Sequence, residues 1–282
     1  MIRSRHVDQE APDIKGKPAS NSCNLSTEAV RRLRILVITE DDPIYVIEFF
    51  RVFFSELPKD ELEIVGLTVD RAFHEPLWRT LRRMIHFYGW AGAVEQGVRF
   101  LNAKLRRRSI GALARWHGVP LMATGSVNDP AYLDRIRALR PDVIISVAGG
   151  EIFCPELLSL PSLGCVNIHS GRLPKYRGML PTFWQMLNDE PEVVITVHRM
   201  AQKLDAGDVL ATAPFPIRRF DSLDRVIRGT KRAGAQLFIR VLRELRAGRA
   251  RPVPLDMTQA AYFRFPAPDD VRAFRRRGHR LL

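Results

Sequence analysis

Cysteine is scarce in this chain: 282 residues hold three, Cys23, Cys154 and Cys165. An odd count without paired spacing excludes a disulfide framework and the ligand pattern of a structural zinc, so no metal is expected. It also fits a reducing compartment, and a cytoplasmic protein is expected. Cys165 lies in an apolar run and reads as core. No stretch of about 20 apolar residues occurs, which argues against a membrane span. No apolar segment follows the basic start Met1-Ile2-Arg3-Ser4-Arg5-His6, so no signal peptide is read there. The apolar run from Tyr45 to Phe54 is short, carries Glu48 and Arg51, and reads as a buried amphipathic helix. Acid is short relative to base: 31 Asp and Glu face 44 Lys and Arg, a formal net charge of +13. The basic residues are mostly arginines spread along helical segments. That pattern reads as solvated helix faces before it reads as a nucleic-acid surface.

What is present suits one sizeable α/β domain with attachments, or two small ones. Hydrophobic residues make up 46% and charged residues 27%, ordinary values for a globular protein. Residues 1–32 are polar and aperiodic and read as a loose arm. Leu33-Arg34-Ile35-Leu36-Val37-Ile38-Thr39 is a β-branched run of the length of a buried parallel strand. A helix from about Pro43 to Leu57 and a strand from Leu62 to Val69 follow. Residues 75–117 form a long Arg- and aromatic-rich helical stretch with breaks near Gly89, Gly92 and Gly111, longer than an ordinary crossover and therefore an insertion. Pro120 to Ala123 is a weak strand, Pro130 to Arg140 a helix, and Asp142 to Ala148 the clearest strand. A short helix from Pro155, a strand from Gly164 to His169 and a helix from Pro181 come next. An antiparallel pair, Glu192–Met200 and Val209–Phe215, precedes an amphipathic helix from Ser222 to Arg246. Strand–helix alternation predicts a Rossmann-like, doubly wound, mostly parallel sheet over 33–247. Residues 248–282 carry prolines and arginines and read as an irregular tail. Tyr262 to Pro266 is assigned only packing.

Two short segments carry chemistry. In a strand, residues i and i+2 share a face, so Asn167 and His169 project together while Ile168 enters the core. Ligands of open α/β sheets sit beyond the carboxyl ends of strands. Asp205 must arrive from the loop after Glu192–Met200. An amide, an imidazole and a carboxylate can hold an oxyanion and move one proton. His198, alternating along an apolar strand, reads as structural.

The text around these residues is Asn167-Ile168-His169-Ser170-Gly171-Arg172-Leu173-Pro174, then Pro181-Thr182-Phe183-Trp184, then Leu204-Asp205-Ala206-Gly207-Asp208. It resembles the formyltransferase superfamily, whose members use 10-formyltetrahydrofolate. The resemblance runs from about Leu33 to Ile217 and is strongest from Asp142 to Leu210. It implies formyl transfer to an amine through a tetrahedral intermediate, with Asn167, His169 and Asp205 as the catalytic residues. It also implies cofactor contacts from Ala148, Gly149, Gly150, Glu151, Ile152 and Phe153 and from Lys203 and Leu204.

Departures from relatives narrow the acceptor. Members acting on glycinamide ribonucleotide have a glycine-rich phosphate loop after the first strand, and here Glu40-Asp41-Asp42 stands there. Asp41 and Asp42 could attract an ammonium, or could cap the next helix. Tyr176 and Arg177 could reach the acceptor or a folate carboxylate. A small-metabolite amine, such as an amino sugar or a biosynthetic intermediate, is the expected substrate. Methionyl-tRNA is the alternative, kept open by the charge. A non-catalytic RNA- or partner-binding protein on the same fold is the reading from another class.

Overall fold

The computed structural model describes residues 31–70 and 76–282. Most of the expected arm, with Cys23, lies outside them. Seven strands form one sheet in the order β3-β2-β1-β4-β5-β7-β8. β1 is Leu33–Glu40, β2 Leu62–Asp70, β3 Leu121–Met122, β4 Val143–Val147, β5 Cys165–His169, β7 Glu192–Arg199 and β8 Val209–Pro216. β1 pairs in parallel with both β2 and β4, and β4 with β5, whereas β7 runs antiparallel to β5 and β8. The β-branched runs are buried on both faces, as a parallel sheet requires.

The two faces have separate cores. On one, α1 (Val46–Glu56) and α7 (Leu223–Arg246) cover Ile35, Val37, Ile145, Val166, Ile168, Ile195 and Val197. Phe49, Phe50, Phe53 and Phe54 recur at helical spacing on α1, and Phe49 meets Phe238 of α7 edge to face at 6.1 Å. Ser222 caps α7 by accepting from Arg225 N, with Asp224 in the first turn and Arg243 and Arg246 in the last, the charge order a helix dipole favours. On the other face, α4 (Pro130–Leu139) and α5 (Pro155–Ser159) cover Leu36, Ile38, Ile144 and Cys165. Burial pushes the Cys165 thiol up to about 12, the value of a core residue and not a reactive one.

Two expectations need correction. The insertion is α2 (Leu77–Leu105) followed by α3 (Ile110–Trp116). Its break at Gly89 is present (φ 77°, ψ 173°), but Gly92 and Gly111 lie within helices. The second break falls at Arg106–Ser109, because Ser109 caps α3 by accepting from Ala112 N. Residues 248–282 are not an irregular tail. They contain β9 (Tyr262–Phe263) and α8 (Pro268–Arg276). Val271 and Phe274 of α8 enter a third core with Phe87, Phe183, Met186 and Val226, and Phe274 stacks on Phe183 at 4.6 Å. Pro268 opens that helix, Asp270 accepts from Ala267 N, and Arg275 and Arg276 close it.

Phe238 is fully buried between α1 and the sheet. Phe238→Ala should therefore lower unfolding free energy by about 3–5 kcal/mol, read as a drop in denaturant midpoint; an unmoved midpoint would show that α7 does not close this core.

Candidate active site

The sheet builds the site. β7 lies against β5 so that Asn167 faces His198 and His169 faces Thr196. Directly opposed residues on antiparallel strands share a face. Four polar side chains therefore meet at the carboxyl end of β5, while Val166, Ile168 and Val197 enter the core behind them. Thr196 Oγ1 donates to Gly171 O at 2.8 Å and holds the loop that follows β5.

Backbone carbonyls set both imidazoles. His169 Nε2 lies 2.6 Å from the Tyr176 carbonyl. A carbonyl only accepts, so Nε2 carries a proton, and Nδ1 is the nitrogen that bears the lone pair whenever the ring is neutral. That nitrogen faces Asp205 Oδ1 at 3.8 Å. His198 Nδ1 donates to Arg199 O at 2.8 Å, so its Nε2 accepts from Asn167 Nδ2 at 3.2 Å. His198 is buried. Desolvation, reinforced by nearby His169 and opposed by Asp205, lowers its pKa to about 4. It is a neutral acceptor that fixes the Asn167 amide.

Asp205 arrives from the loop between β7 and β8 with φ 49°, a left-handed conformation uncommon for a residue other than glycine. Its Oδ2 accepts from Gly178 N at 3.0 Å. Its Oδ1 stands 3.8 Å from both His169 Nδ1 and His198 Nε2. Gly207 is required here: a Cβ would stand 2.1 Å from Arg199 O. β6 (Arg177–Gly178) pairs with β9, and Arg177 donates to the Leu204 carbonyl through Nε at 3.2 Å and through Nη2.

A narrow cavity opens between these residues, lined by Glu151, Ile152, Phe153, Asn167, His198 and Asp205 together with Met200, Ala201, Gln202 and Leu204. Of the expected cofactor residues, Glu151, Ile152, Phe153 and Leu204 are there. Ala148, Gly149, Gly150 and Lys203 do not line it. Gly149 has a steric reason instead, since a Cβ would stand 2.8 Å from Ser146 Oγ. The Glu151 carboxylate is engaged by Ser126 Oγ at 2.5 Å and Val127 N at 3.2 Å. Among the described residues no group of His, Cys, Asp and Glu is arranged to hold a metal ion.

The four expected acceptor residues are committed elsewhere. Asp42 holds the turn that leads into α1, accepting from Ile44 N at 2.7 Å and Tyr45 N at 3.0 Å. Asp41 accepts from Ile110 N at 2.9 Å, at the start of α3. Tyr176 contributes its carbonyl to His169 while its hydroxyl donates to Glu190 at 2.8 Å and its ring stacks on Phe263. Arg177 holds the Leu204 carbonyl in place of a ligand. His198 is the member of the cluster that sequence reasoning missed. Its i+2 relation to Thr196 was visible, but its meeting with Asn167 depends on cross-strand register.

A sequence family described as Formyl transferase matches residues 102–242, half of the chain. The chain belongs to that family. Among similar proteins are methionyl-tRNA formyltransferases of Synechococcus sp. (strain JA-3-3Ab), 36% identical over 53% of this chain and 47% of that protein, and of Halalkalibacterium halodurans, 33% identical over 71% and 65%. The chain thus spans about half to two thirds of the length of these relatives. Solved structures share the fold. Glycinamide ribonucleotide transformylase 1 from Symbiobacterium toebii superposes with a TM-score of 0.57, 16% identity and coverage of 80% of this chain and 95% of that one. A sugar N-formyltransferase from Shewanella sp. gives 0.54 and 16%, over 83% and 77%. The mostly parallel, Rossmann-like sheet of this family member is the one expected from its sequence.

The neutral His198 gives a test of the cluster. Its pKa in the fold, about 4, lies below its ordinary value of 6.5. The unfolded chain therefore binds the extra proton between those values, and stability present above about pH 6.5 is lost as pH falls toward 4. The loss should reach about 3 kcal/mol. His198→Gln should remove that part of the pH dependence of the urea midpoint; an identical slope in both proteins would show that His198 is not held neutral.

Proposed function

We propose that this chain transfers a formyl group from 10-formyltetrahydrofolate to the amine of a small metabolite. The meeting of Asn167, His198 and Asp205 at one cavity, with His169 Nδ1 3.8 Å from Asp205, carries the reading. The walls fit a flat heteroaromatic ring with a polar edge: Ile152, Phe153, Met200 and Leu204 supply apolar sides, and Asn167, His198 and Asp205 a polar floor. The cavity holds about 40 Å³, space for a water or two, so a ring-sized ligand requires the exposed side chains of Ile152 and Leu204 to swing aside. When bound, the folate supplies an activated formyl carbon.

Each residue has a defined task. Asn167, held through one N–H by His198, turns its amide toward a carbonyl oxygen and stabilises the charge that develops there. His169 presents the Nδ1 lone pair and takes the proton an attacking amine must lose. Asp205 stands beside both imidazoles and favours the charged ring of His169 once it has accepted that proton.

The acids on the same edge of the sheet support a small cationic acceptor. Glu40 and Asp70 are register partners at the carboxyl ends of β1 and β2. Burial, then Asp42, raises the Glu40 pKa to about 7 against the pull of Lys231. Such an edge disfavours phosphate and welcomes an ammonium. Methionyl-tRNA is the second reading. It is favoured by the names of the similar proteins, by the +13 charge, and by Arg106 and Arg108 in a cleft where Arg99 and Arg228 pair with Asp224.

Incubation with 10-formyltetrahydrofolate and either a panel of amines or charged tRNA, followed by mass spectrometry, should show one added formyl group on a small amine. Formylation confined to the tRNA would replace the first reading with the second. Asn167→Ala should lower kcat by about 100- to 1000-fold and Asp205→Asn by at least about 100-fold, with far-ultraviolet circular dichroism unchanged. Wild-type turnover in either variant would remove that residue from the chemistry.

A further inference from the structure

The second half of α2 is amphipathic the wrong way round. Ala93, Gln96 and Ala103 face the body of the protein and are buried. Gln96 donates to the Tyr45 hydroxyl at 3.2 Å, and Arg99 to Asp224 at 3.0 Å. The opposite face carries Trp90, Val94, Val98, Leu101 and Leu105, which are 74%, 63%, 52%, 56% and 72% exposed. Their spacings of four, four, three and four place them in one stripe along the helix, and no charged side chain interrupts its centre. The five side chains leave on the order of 600 Å² of surface in water. The largest patch of a typical monomer is about 300–600 Å². A standard protein–protein interface takes about 800 Å² from each partner.

We propose that this stripe is a dimer interface, and that its occupant is the same stripe of a second copy, packed antiparallel about a two-fold axis near Gly97. The stripe is self-complementary about that point. Trp90 of one copy meets Leu105 of the other, Val94 meets Leu101, and Gly97 and Val98 lie at the axis. A two-fold interface demands this reciprocity. Gly97 has nothing within 4 Å of a Cβ position, so it leaves the crossing point free for close approach of the partner backbone. Charge selects the orientation. Lys104 and Arg106 to Arg108 crowd the C-terminal end of the stripe, against Arg275, on the Tyr88 carbonyl, at the Trp90 end. A parallel pair would set these cations against their own copies. An antiparallel pair holds them about 24 Å apart along the helix, more than twice the Debye length of about 8–10 Å at ordinary salt.

Sedimentation equilibrium of the full chain at micromolar concentration should give twice the mass of one chain. Leu101→Glu, and separately Val94→Lys, should return it to one, with circular dichroism unchanged. Association should tighten as salt is raised, because the seam is apolar and the two copies repel. Val98→Cys should give a covalent dimer under mild oxidation, whereas Trp90→Cys and the unaltered chain should not. A monomer at every salt concentration, or a dimer indifferent to both charged substitutions, would overturn the proposal. So would a monomer that sediments with anionic phospholipid vesicles through this stripe, or association that weakens with salt. Cross-linking by Trp90→Cys alone would overturn the antiparallel arrangement.

Discussion

The hydrogen bond from Gly178 N–H to Asp205 Oδ2 is the contact on which the site depends. β5 and β7 fix Asn167, His169, Thr196 and His198 through sheet register. Asp205 has no such frame. It stands in a loop, in a left-handed conformation, and only its partners hold it toward the imidazoles. Gly178 takes one carboxylate oxygen and Arg177 takes the carbonyl of the preceding residue. Both belong to a two-residue strand secured by another, since Arg177 N donates to Ala261 O at 3.1 Å and Met179 N to Phe263 O at 2.9 Å. The path of constraint runs from the C-terminal segment to the Asp205 carboxylate.

Electrostatics near the cluster differ from those of the chain as a whole. The surface is strongly basic, yet the carboxyl edge of β1 and β2 gathers Glu40, Asp41, Asp42 and Asp70, and the cavity floor carries Asp205. Many of the arginines are engaged in ion pairs on helix faces, as with Arg232 on Glu48 at 2.6 Å, Arg243 on Glu61 at 2.7 Å and Arg228 on Asp224 at 3.0 Å. Net charge is therefore a poor guide to what enters the pocket. The two imidazoles make the same point at smaller scale. Identical side chains a few ångströms apart present opposite ring nitrogens, because each answers to a different backbone carbonyl.

Features written in one strand or one helix were legible in the sequence. The β-branched runs gave β1, β2 and β4 nearly to the residue. A period of two placed Asn167 and His169 on one face, and the phenylalanines of α1 declared a buried helix. Features that arise between elements were not legible. His198 joins Asn167 only through the pairing of β5 with β7. The carboxylates of Asp41 and Asp42 resembled a ligand site because their partners, the first N–H of α3 and the N–H groups of the turn before α1, are defined only once those segments fold. Arg177 looked available because the carbonyl it serves lies far along the chain. α8 was hidden by flanking prolines and arginines, although Val271 and Phe274 carried its apolar face.

The order of the chain has a consequence for synthesis. Domains fold from the N-terminus as they emerge, and the last strand of the sheet ends at Pro216, well before Tyr262 and Phe263. A nascent chain can thus complete its α/β scaffold, both cores included, while the loop bearing Asp205 is still slack. The support of the Asp205 loop is complete only when the final segment folds back beside β6. A protease that clipped that segment would take away the partner of β6 and, with Val271 and Phe274, part of the third core.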